Sequence, residues 1–127
     1  MEQRPDSSAL RVLVVEDDRD TAETLRALLD LYGYIVVVAE NSQQGIEAAR
    51  KLEPHVVLCD IGLPDSDGYV VASVLKQAGH RTTARLIAVT GRGTPSDRLR
   101  ALAAGFDQHL VKPVDPKVLL LELPSVH

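Results

Sequence analysis

The sequence is poor in cysteine and in aromatic residues: it contains one cysteine, no tryptophan and only 3% aromatic residues. A lone cysteine, Cys59, excludes an internal disulfide, and we expect it to be a small buried hydrophobic residue. No apolar run is long enough to cross a membrane, and residues 1–8 lack the apolar core of a signal peptide. A cytoplasmic location is therefore expected. The net charge of −4 offers no basic surface for nucleic acid.

Soft-metal ligands are also missing. The four histidines show no Cys/His ligand spacing; they are His55, His80, His109 and His127. What is present is ordinary for a globular protein: 127 residues, of which 45% are hydrophobic and 25% are charged. This length predicts one domain. We assign residues 1–9 to a polar leader, residues 10–123 to the domain and residues 124–127 to a tail.

Short β-rich runs alternate with helical patterns five times along the chain. This alternation predicts parallel strands joined by helical crossovers, which is an α/β fold. The central runs are continuously apolar, which indicates that helices cover both faces of the sheet. We therefore predict a doubly wound, five-stranded parallel sheet of (βα)5 type, flavodoxin-like, with strand order 2-1-3-4-5. The strands are expected at about residues 11–15, 34–38, 55–59, 85–89 and 107–111.

Residues suited to helix ends mark the helices between these strands. Asp18, Asn41 and Thr94 are each expected to cap the start of a helix, and Gly33 fits the left-handed position after one. The last helix is expected at about residues 115–123. The buried stripe of the first helix is predicted to contain Ala22, Leu25, Leu28, Leu29 and Tyr32.

Four of the five predicted strands end on residues that can handle a phosphoryl group. Glu16 and Asp17 follow the first strand, Asp60 the third, Thr90 the fourth and Lys112 the fifth. The carboxyl ends of parallel strands lie along one edge of a sheet, and ligands bind there in this class of fold. We therefore expect the five side chains to form one pocket.

Three carboxylates beside a single ammonium group need either a proton or a bound cation. Two unit charges about 4 Å apart interact by about 4 kcal/mol at an effective dielectric constant of 20. Mg²⁺ suits such a pocket because it binds carboxylates, keeps several waters and bridges to phosphate oxygens. The carboxylate of Asp60 can then act as a nucleophile and form an aspartyl phosphate. The structural alternative is that Glu16 and Asp17 only stabilise a helix N-terminus.

Four motifs, in this order and spacing, resemble the receiver domain of two-component response regulators over about residues 11–123. They are Val14-Val15-Glu16-Asp17, the segment 60–68, Thr90-Gly91 and Lys112-Pro113. The resemblance implies that Asp60 accepts a phosphoryl group from a phosphohistidine of a sensor histidine kinase or phosphotransfer protein. It implies a domain that catalyses its own phosphorylation and dephosphorylation and is not an enzyme acting on an external metabolite.

The resemblance also implies roles for the other residues of the pocket. Glu16, Asp17 and Asp60 would hold Mg²⁺ together with the backbone carbonyl of Gly62. The residues Thr90 and Lys112 would sense the phosphoryl group. The peptide bond between Lys112 and Pro113 is expected to be cis.

Several positions depart from the family pattern or have a second interpretation. The family carries a switch aromatic three residues before the lysine, where this chain has His109, which is either a switch residue or an ordinary half-exposed strand residue. Gly62 and Arg92 occupy two positions that tune hydrolysis of the acyl phosphate in the family. Asp65 and Asp67 are expected to be ordinary loop acids.

The last helix contains four consecutive apolar residues, Val118 to Leu121. They point all round the helix, so only about half of them can be buried against one sheet face. One interpretation is a short helix with one exposed leucine. The other is that the fourth helix, fifth strand and fifth helix form a face that meets a partner, most simply a second copy of the chain.

Four other functions remain as alternatives. A haloacid-dehalogenase-type phosphohydrolase would need a second aspartate at position 62, where this chain has Gly62, and would carry a cap insertion. A receiver-like interaction module that is never phosphorylated usually lacks one of the acids or the lysine. The chain also fits the receiver of a hybrid kinase, and no effector domain is visible in it. A flavodoxin-like cofactor binder is opposed by acids where a flavin phosphate would bind.

Overall fold

A computed structural model describes residues 9–63, 65, 68–77, 83–91 and 93–124. The leader up to residue 8, His80, Arg92, Asp67 and the last three residues lie outside this described part. Strands and helices alternate along the chain as β1 (Arg11–Val15), α1 (Arg19–Leu31), β2 (Ile35–Ala39), α2 (Ser42–Leu52), β3 (Val56–Asp60), α3 (Tyr69–Leu75), β4 (Arg85–Thr90), α4 (Pro95–Ala104), β5 (Gln108–Val111) and α5 (Pro116–Leu121).

The five strands form one parallel sheet in the order β2-β1-β3-β4-β5. The predicted fold class and strand order are therefore confirmed. Strand β1 pairs with both β2 and β3, and Val15 lies opposite Cys59. The residues that follow this pair are Glu16 and Asp60, so the register brings two acids to neighbouring strand ends.

Helices cover both faces of the sheet, as the apolar strands predicted. Leu13 and Val15 of β1 pack in a cluster with residues of α2, α3 and α4. Val12 and Val14, on alternate positions of the same strand, pack in a second cluster with α1 and α5. Burying a Leu or Val side chain contributes about 1.5–3 kcal/mol. The two clusters pack the helices against the strands whose carboxyl ends carry the acids.

The helix ends follow the capping residues expected from the sequence. Asp18, Asn41 and Thr94 are N-caps whose side chains accept hydrogen bonds from backbone N–H groups of the first turns of α1, α2 and α4. Gly33 has φ 91°, and Gly105 ends α4 with φ 118°, so both use the left-handed region. These caps satisfy donors and acceptors that the helices leave unpaired.

Two details of the first helix and second strand differ from the expectations. Tyr32 was predicted on the buried stripe of α1 but is 52% exposed, because it is the C-cap residue and the chain turns away at Gly33. Strand β2 begins at Ile35 and not at Tyr34. The Tyr34 side chain is buried instead, and its hydroxyl donates a hydrogen bond to the carbonyl of Pro124 at 2.6 Å.

Candidate functional site

Three acids meet at the carboxyl ends of β1 and β3. One carboxylate oxygen each from Glu16, Asp17 and Asp60 lies within 4.8 Å of the other two. Glu16 and Asp60 are buried, whereas Asp17 is exposed. The backbone N–H of Glu16 donates to the carbonyl of Ala39 at 2.9 Å, which continues the β1–β2 pairing and fixes the start of the acidic segment.

Lys112 lies between two of these acids. Its Nζ is 2.9 Å from Oε1 of Glu16 and 3.3 Å from Oδ2 of Asp60. The backbone N–H of Lys112 donates to the carbonyl of Thr90 at 2.7 Å, so the end of β4 positions the lysine. One ammonium therefore pairs with two carboxylates, and the charge of Asp17 adds to an already negative pocket.

The protonation of the pocket follows from burial and from these ion pairs. Burial raises the pKa of Glu16, although the N–H of Asp18 and the ammonium of Lys112 oppose that rise. Burial acts to lower the pKa of Lys112, but the hydrogen bond to Glu16 and the charge of Asp60 outweigh it and raise this pKa. Lys112 thus stays protonated at neutral pH. The raised pKa of Glu16 is thus mainly an effect of its burial, to which the nearby charge of Asp60 adds.

The segment after Asp60 is held against the strand ends. The N–H of Gly62 donates to Oδ1 of Asp60 at 3.1 Å, and the N–H of Ile61 donates to the carbonyl of Val89 at 3.0 Å. At the end of the segment, the N–H of Gly68 donates to the carbonyl of Ile61 at 2.7 Å. The acid therefore has one oxygen on a backbone donor and the other facing Lys112.

The donor set suits a hard divalent cation. The three carboxylates offer oxygens close together, and Lys112 balances only part of their charge. Oxygen ligands of this kind are those that Mg²⁺ prefers. The residues named from the sequence thus form an acidic group that fits a metal ion.

The remaining predicted residues lie on β4, on β5 or directly after β5. Thr90 ends β4 and is buried opposite Val111, and the peptide bond between Lys112 and Pro113 is cis. His109 lies on β5, where it pairs with Ala88 of β4, and it is half-buried. Within the described part of the chain, its buried Nε2 has no hydrogen-bond partner. Burial lowers the pKa of His109, while Asp97 opposes this effect.

Cys59 is fully buried beside Asp60, as expected, and burial raises the pKa of its thiol far above the ordinary value. Asp65 differs from its expected role as an ordinary loop acid. Its two carboxylate oxygens accept hydrogen bonds from the N–H groups of Ser42 and Gln43, at the start of α2. No local sequence signal indicates this contact, because the partners lie 22 and 23 residues away along the chain.

The chain matches the family described as the response regulator receiver domain over residues 12–123. It therefore belongs to this family of two-component signalling domains, and the resemblance inferred from the motifs is confirmed. This membership gives no support to the phosphohydrolase and flavin-binding alternatives. Receiver domains interact with histidine kinases or phosphotransfer proteins. Among the described helices, none has the length and apolar character to span a membrane.

Individual relatives agree with this family. The protein PilH of Pseudomonas aeruginosa is 32% identical over 116 residues, which cover 91% of this chain and 96% of PilH. The crystal structure of a CheY-like receiver domain protein from Methanospirillum hungatei has a TM-score of 0.83 at 30% identity, covering 91% of this chain and 90% of that one.

A response regulator protein from Burkholderia pseudomallei has a TM-score of 0.82 at 25% identity. Its structure was solved with a phosphorylated aspartic acid, a calcium ion and citrate. The match covers 91% of this chain and 66% of that one. The chain spans about half the length of some curated relatives, for example 46% of the probable transcriptional regulator ycf27 of Pyropia yezoensis.

Proposed function

We propose that the protein is a phosphorylation-controlled signalling switch in which Asp60 accepts a phosphoryl group. The donor is a phosphohistidine of a sensor histidine kinase or phosphotransfer protein. The observation that carries this proposal is that Asp60 lies close to Lys112 and to two further acids at one edge of the sheet. The phosphorylated aspartic acid in the similar Burkholderia pseudomallei protein supports the same chemistry.

The transfer is a displacement at phosphorus. A carboxylate oxygen of Asp60 forms the new O–P bond as the P–N bond to the donor imidazole breaks, and the imidazole leaves with that electron pair. Oδ1 of Asp60 accepts a hydrogen bond from Gly62, whereas Oδ2 faces the ammonium of Lys112 at 3.3 Å. The reaction needs positioning and charge neutralisation more than it needs a base.

Mg²⁺ would be held by the carboxylates of Glu16, Asp17 and Asp60 and by the carbonyl of Gly62, and it would neutralise charge on the phosphoryl oxygens. Once the phosphoryl group is on Asp60, Lys112 would exchange its ion pair with the carboxylate for one with a phosphoryl oxygen. Thr90 would donate its hydroxyl to another such oxygen. We include dephosphorylation of Asp60 by the protein itself in this function. The cytoplasmic location stays a prediction.

Intact-mass spectrometry after incubation with acetyl phosphate and Mg²⁺ tests the proposal. Wild-type protein is expected to gain one phosphoryl group, which is lost on standing. Asp60→Asn is expected to gain none, and chelation of the metal ion is expected to stop uptake by the wild type. Asp30→Asn, at an exposed acid of α1, is the control and should take up phosphate normally. Undiminished uptake by Asp60→Asn would overturn the proposal.

The output face is proposed to be formed by α4, β5 and α5, with a second copy of the chain as its partner. Within the described residues, this face carries five of the large apolar side chains that remain exposed. They are Leu99, Leu102, Val111, Val118 and Leu121, with exposed fractions of 66%, 47%, 45%, 43% and 84%. Exposed apolar area of this kind commonly marks an interaction surface. His109 lies on the same strand as Val111 and would link the face to the site.

Light scattering with and without beryllofluoride tests this face. The wild type is expected to shift toward a dimer when the phosphoryl analogue and Mg²⁺ are present, and Leu99→Arg is expected to stay monomeric. Leu31→Arg, on the exposed end of α1, is the matched control because Leu31 is 78% exposed but lies outside the face. A wild type that is monomeric at high concentration in both states would contradict the dimer.

A further inference from the structure

Asp65 joins the segment after β3 to the start of α2. Its Oδ1 accepts the N–H of Ser42 at 2.9 Å, and its Oδ2 accepts the N–H of Gln43 at 3.2 Å. These are the first two residues of the helix, whose N–H groups have no partner within the helix. Hydrogen bonds from two backbone donors to one ionised carboxylate are among the stronger ones.

Helix α2 already has a cap of its own. The side chain of Asn41 accepts the N–H of Gln44 at 2.8 Å, and the N–H of Gly45 donates to the carbonyl of Asn41 at 2.9 Å. Asp65 therefore does more than cap the helix, since its contact also ties to it a segment that lies 22 and 23 residues away along the chain. The bond to Ser42 is the main cause that lowers the pKa of Asp65, so its carboxylate stays charged at neutral pH.

The segment that Asp65 holds is the one that begins at the phosphoryl site. The backbone of Gly68 lies directly against the end of β3. A Cβ at this position would lie only 2.4 Å from the carbonyl oxygen of Asp60. Leu63 is buried in the core, and Gly62 is exposed between Leu63 and Asp60. The Gly62 backbone is held on one side by its N–H bond to Oδ1 of Asp60, and on the other side the chain leads to the buried Leu63 and then to Asp65 with its bonds to α2.

We propose that Asp65 is a positioning residue of the phosphoryl site, which holds the segment carrying the Gly62 carbonyl where that oxygen can bind the divalent cation. This inference rests on the proposed function, because the carbonyl matters only if the acidic pocket binds a cation. Asp65 is not among the residues proposed to hold the ion or the phosphoryl group, and it would act through the backbone that joins it to Gly62.

Two measurements test the inference together. Calorimetric titration gives the affinity for Mg²⁺, and phosphorylation by acetyl phosphate gives the Mg²⁺ concentration needed for half-maximal uptake. Asp65→Ala is expected to weaken Mg²⁺ binding about tenfold, the lower end of the range for residues that support a metal ligand. Phosphorylation at saturating Mg²⁺ should recover to the wild-type rate. Asp65→Asn keeps the shape but loses the charge and one acceptor, so its affinity should lie between those of the wild type and Asp65→Ala.

Asn41→Ala is the matched control, since it removes a cap from the same helix and leaves the segment tied. Its Mg²⁺ affinity is expected to equal that of the wild type, and thermal denaturation of each variant verifies folding. Unchanged Mg²⁺ affinity in folded Asp65→Ala and Asp65→Asn, or an equal loss in Asn41→Ala, would overturn the inference. Failure of the wild type itself to bind Mg²⁺ or take up phosphate would instead overturn the proposed function.

Discussion

Lys112 is paired more closely with Glu16 than with the proposed phosphoryl acceptor, at 2.9 Å against 3.3 Å for Asp60. Glu16 is buried, with 3% of its side chain exposed, so its negative charge is stabilised by this ammonium together with the N–H of Asp18. In the absence of a metal ion, the lysine thus has a structural role in neutralising the pocket. Binding of a cation would supply the same charge and leave Lys112 available for a phosphoryl oxygen.

The first prediction concerns loss of this ammonium. Lys112→Met is expected to lower the free energy of unfolding without metal by about 2 kcal/mol, because the buried carboxylate of Glu16 loses its ammonium partner and keeps the N–H of Asp18. Mg²⁺ should restore most of the loss and should bind the variant more tightly than the wild type. Chemical denaturation with and without Mg²⁺ measures both effects.

Lys117→Met is the control for this experiment, because Lys117 is exposed on α5 and has no ion pair among the contacts found in the described residues. Its stability should change little in either condition. Equal stability of Lys112→Met and the wild type without Mg²⁺ would show that Glu16 does not rely on the lysine.

The second prediction compares two glycines of the segment after Asp60. A methyl group at Gly68 would lie 2.4 Å from the carbonyl oxygen of Asp60 and 3.0 Å from Cα of Ile61, whereas one at Gly62 would meet no atom within 4 Å. Gly68→Ala is therefore expected to cost about 2–3 kcal/mol of stability through overpacking. Gly62→Ala is expected to change it by less than about 0.5 kcal/mol.

Denaturant titration of the two alanine variants side by side checks this contrast. Each variant is the other's control, because the substitution is the same and both positions lie in the segment that follows Asp60. A Gly68→Ala protein as stable as Gly62→Ala would mean that the backbone at Asp60 moves freely to make room.

Much of the fold and site could be predicted because the determining signals are local. Apolar runs, helix caps and the residues at strand ends are read from a few neighbouring positions, and parallel topology then brings those ends together. Glu16, Asp60 and Lys112 were predicted to meet for this reason, and their side chains do meet.

Contacts between distant parts of the chain could not be predicted in this way. Asp65 resembles any acid in a turn, and only the tertiary structure brings it to Ser42, which lies 23 residues away. Tyr32 continues the periodic pattern of α1, yet the helix ends before this residue can be buried. The preference of Lys112 for Glu16 depends on side-chain positions that no sequence spacing encodes.

The third prediction is an acid-sensitive stability that depends on His55. Its Nδ1 accepts a hydrogen bond from the N–H of Arg11 at 3.0 Å, which requires the neutral ring. Burial lowers the pKa of His55, and the charge of Arg11 lowers it further. Above about pH 6.5 the histidine is neutral in both the folded and unfolded states, so its contribution to stability is fully present.

As the pH falls below about 6.5, the unfolded state binds more protons than the folded state, and the free energy of unfolding must decrease. His55→Asn keeps an acceptor in place of Nδ1 and does not titrate. The stability of this variant should therefore fall less than that of the wild type between about pH 8 and about pH 5, the range in which histidine titrates. Denaturant titrations at several pH values measure the slopes. Identical slopes for variant and wild type would assign the acid sensitivity to other groups.

The fourth prediction concerns His109, whose buried Nε2 lacks a hydrogen-bond partner among the described residues. An unsatisfied buried polar atom costs free energy that an apolar ring does not, so His109→Phe is expected to stabilise the protein by about 1 kcal/mol. His109→Gln retains a polar group at this place on β5 and should give no such gain. Chemical denaturation above pH 7 keeps the histidine neutral and isolates the hydrogen-bonding effect from titration. A phenylalanine variant less stable than the wild type would show that the site lacks room for the larger ring or that Nε2 is satisfied by water.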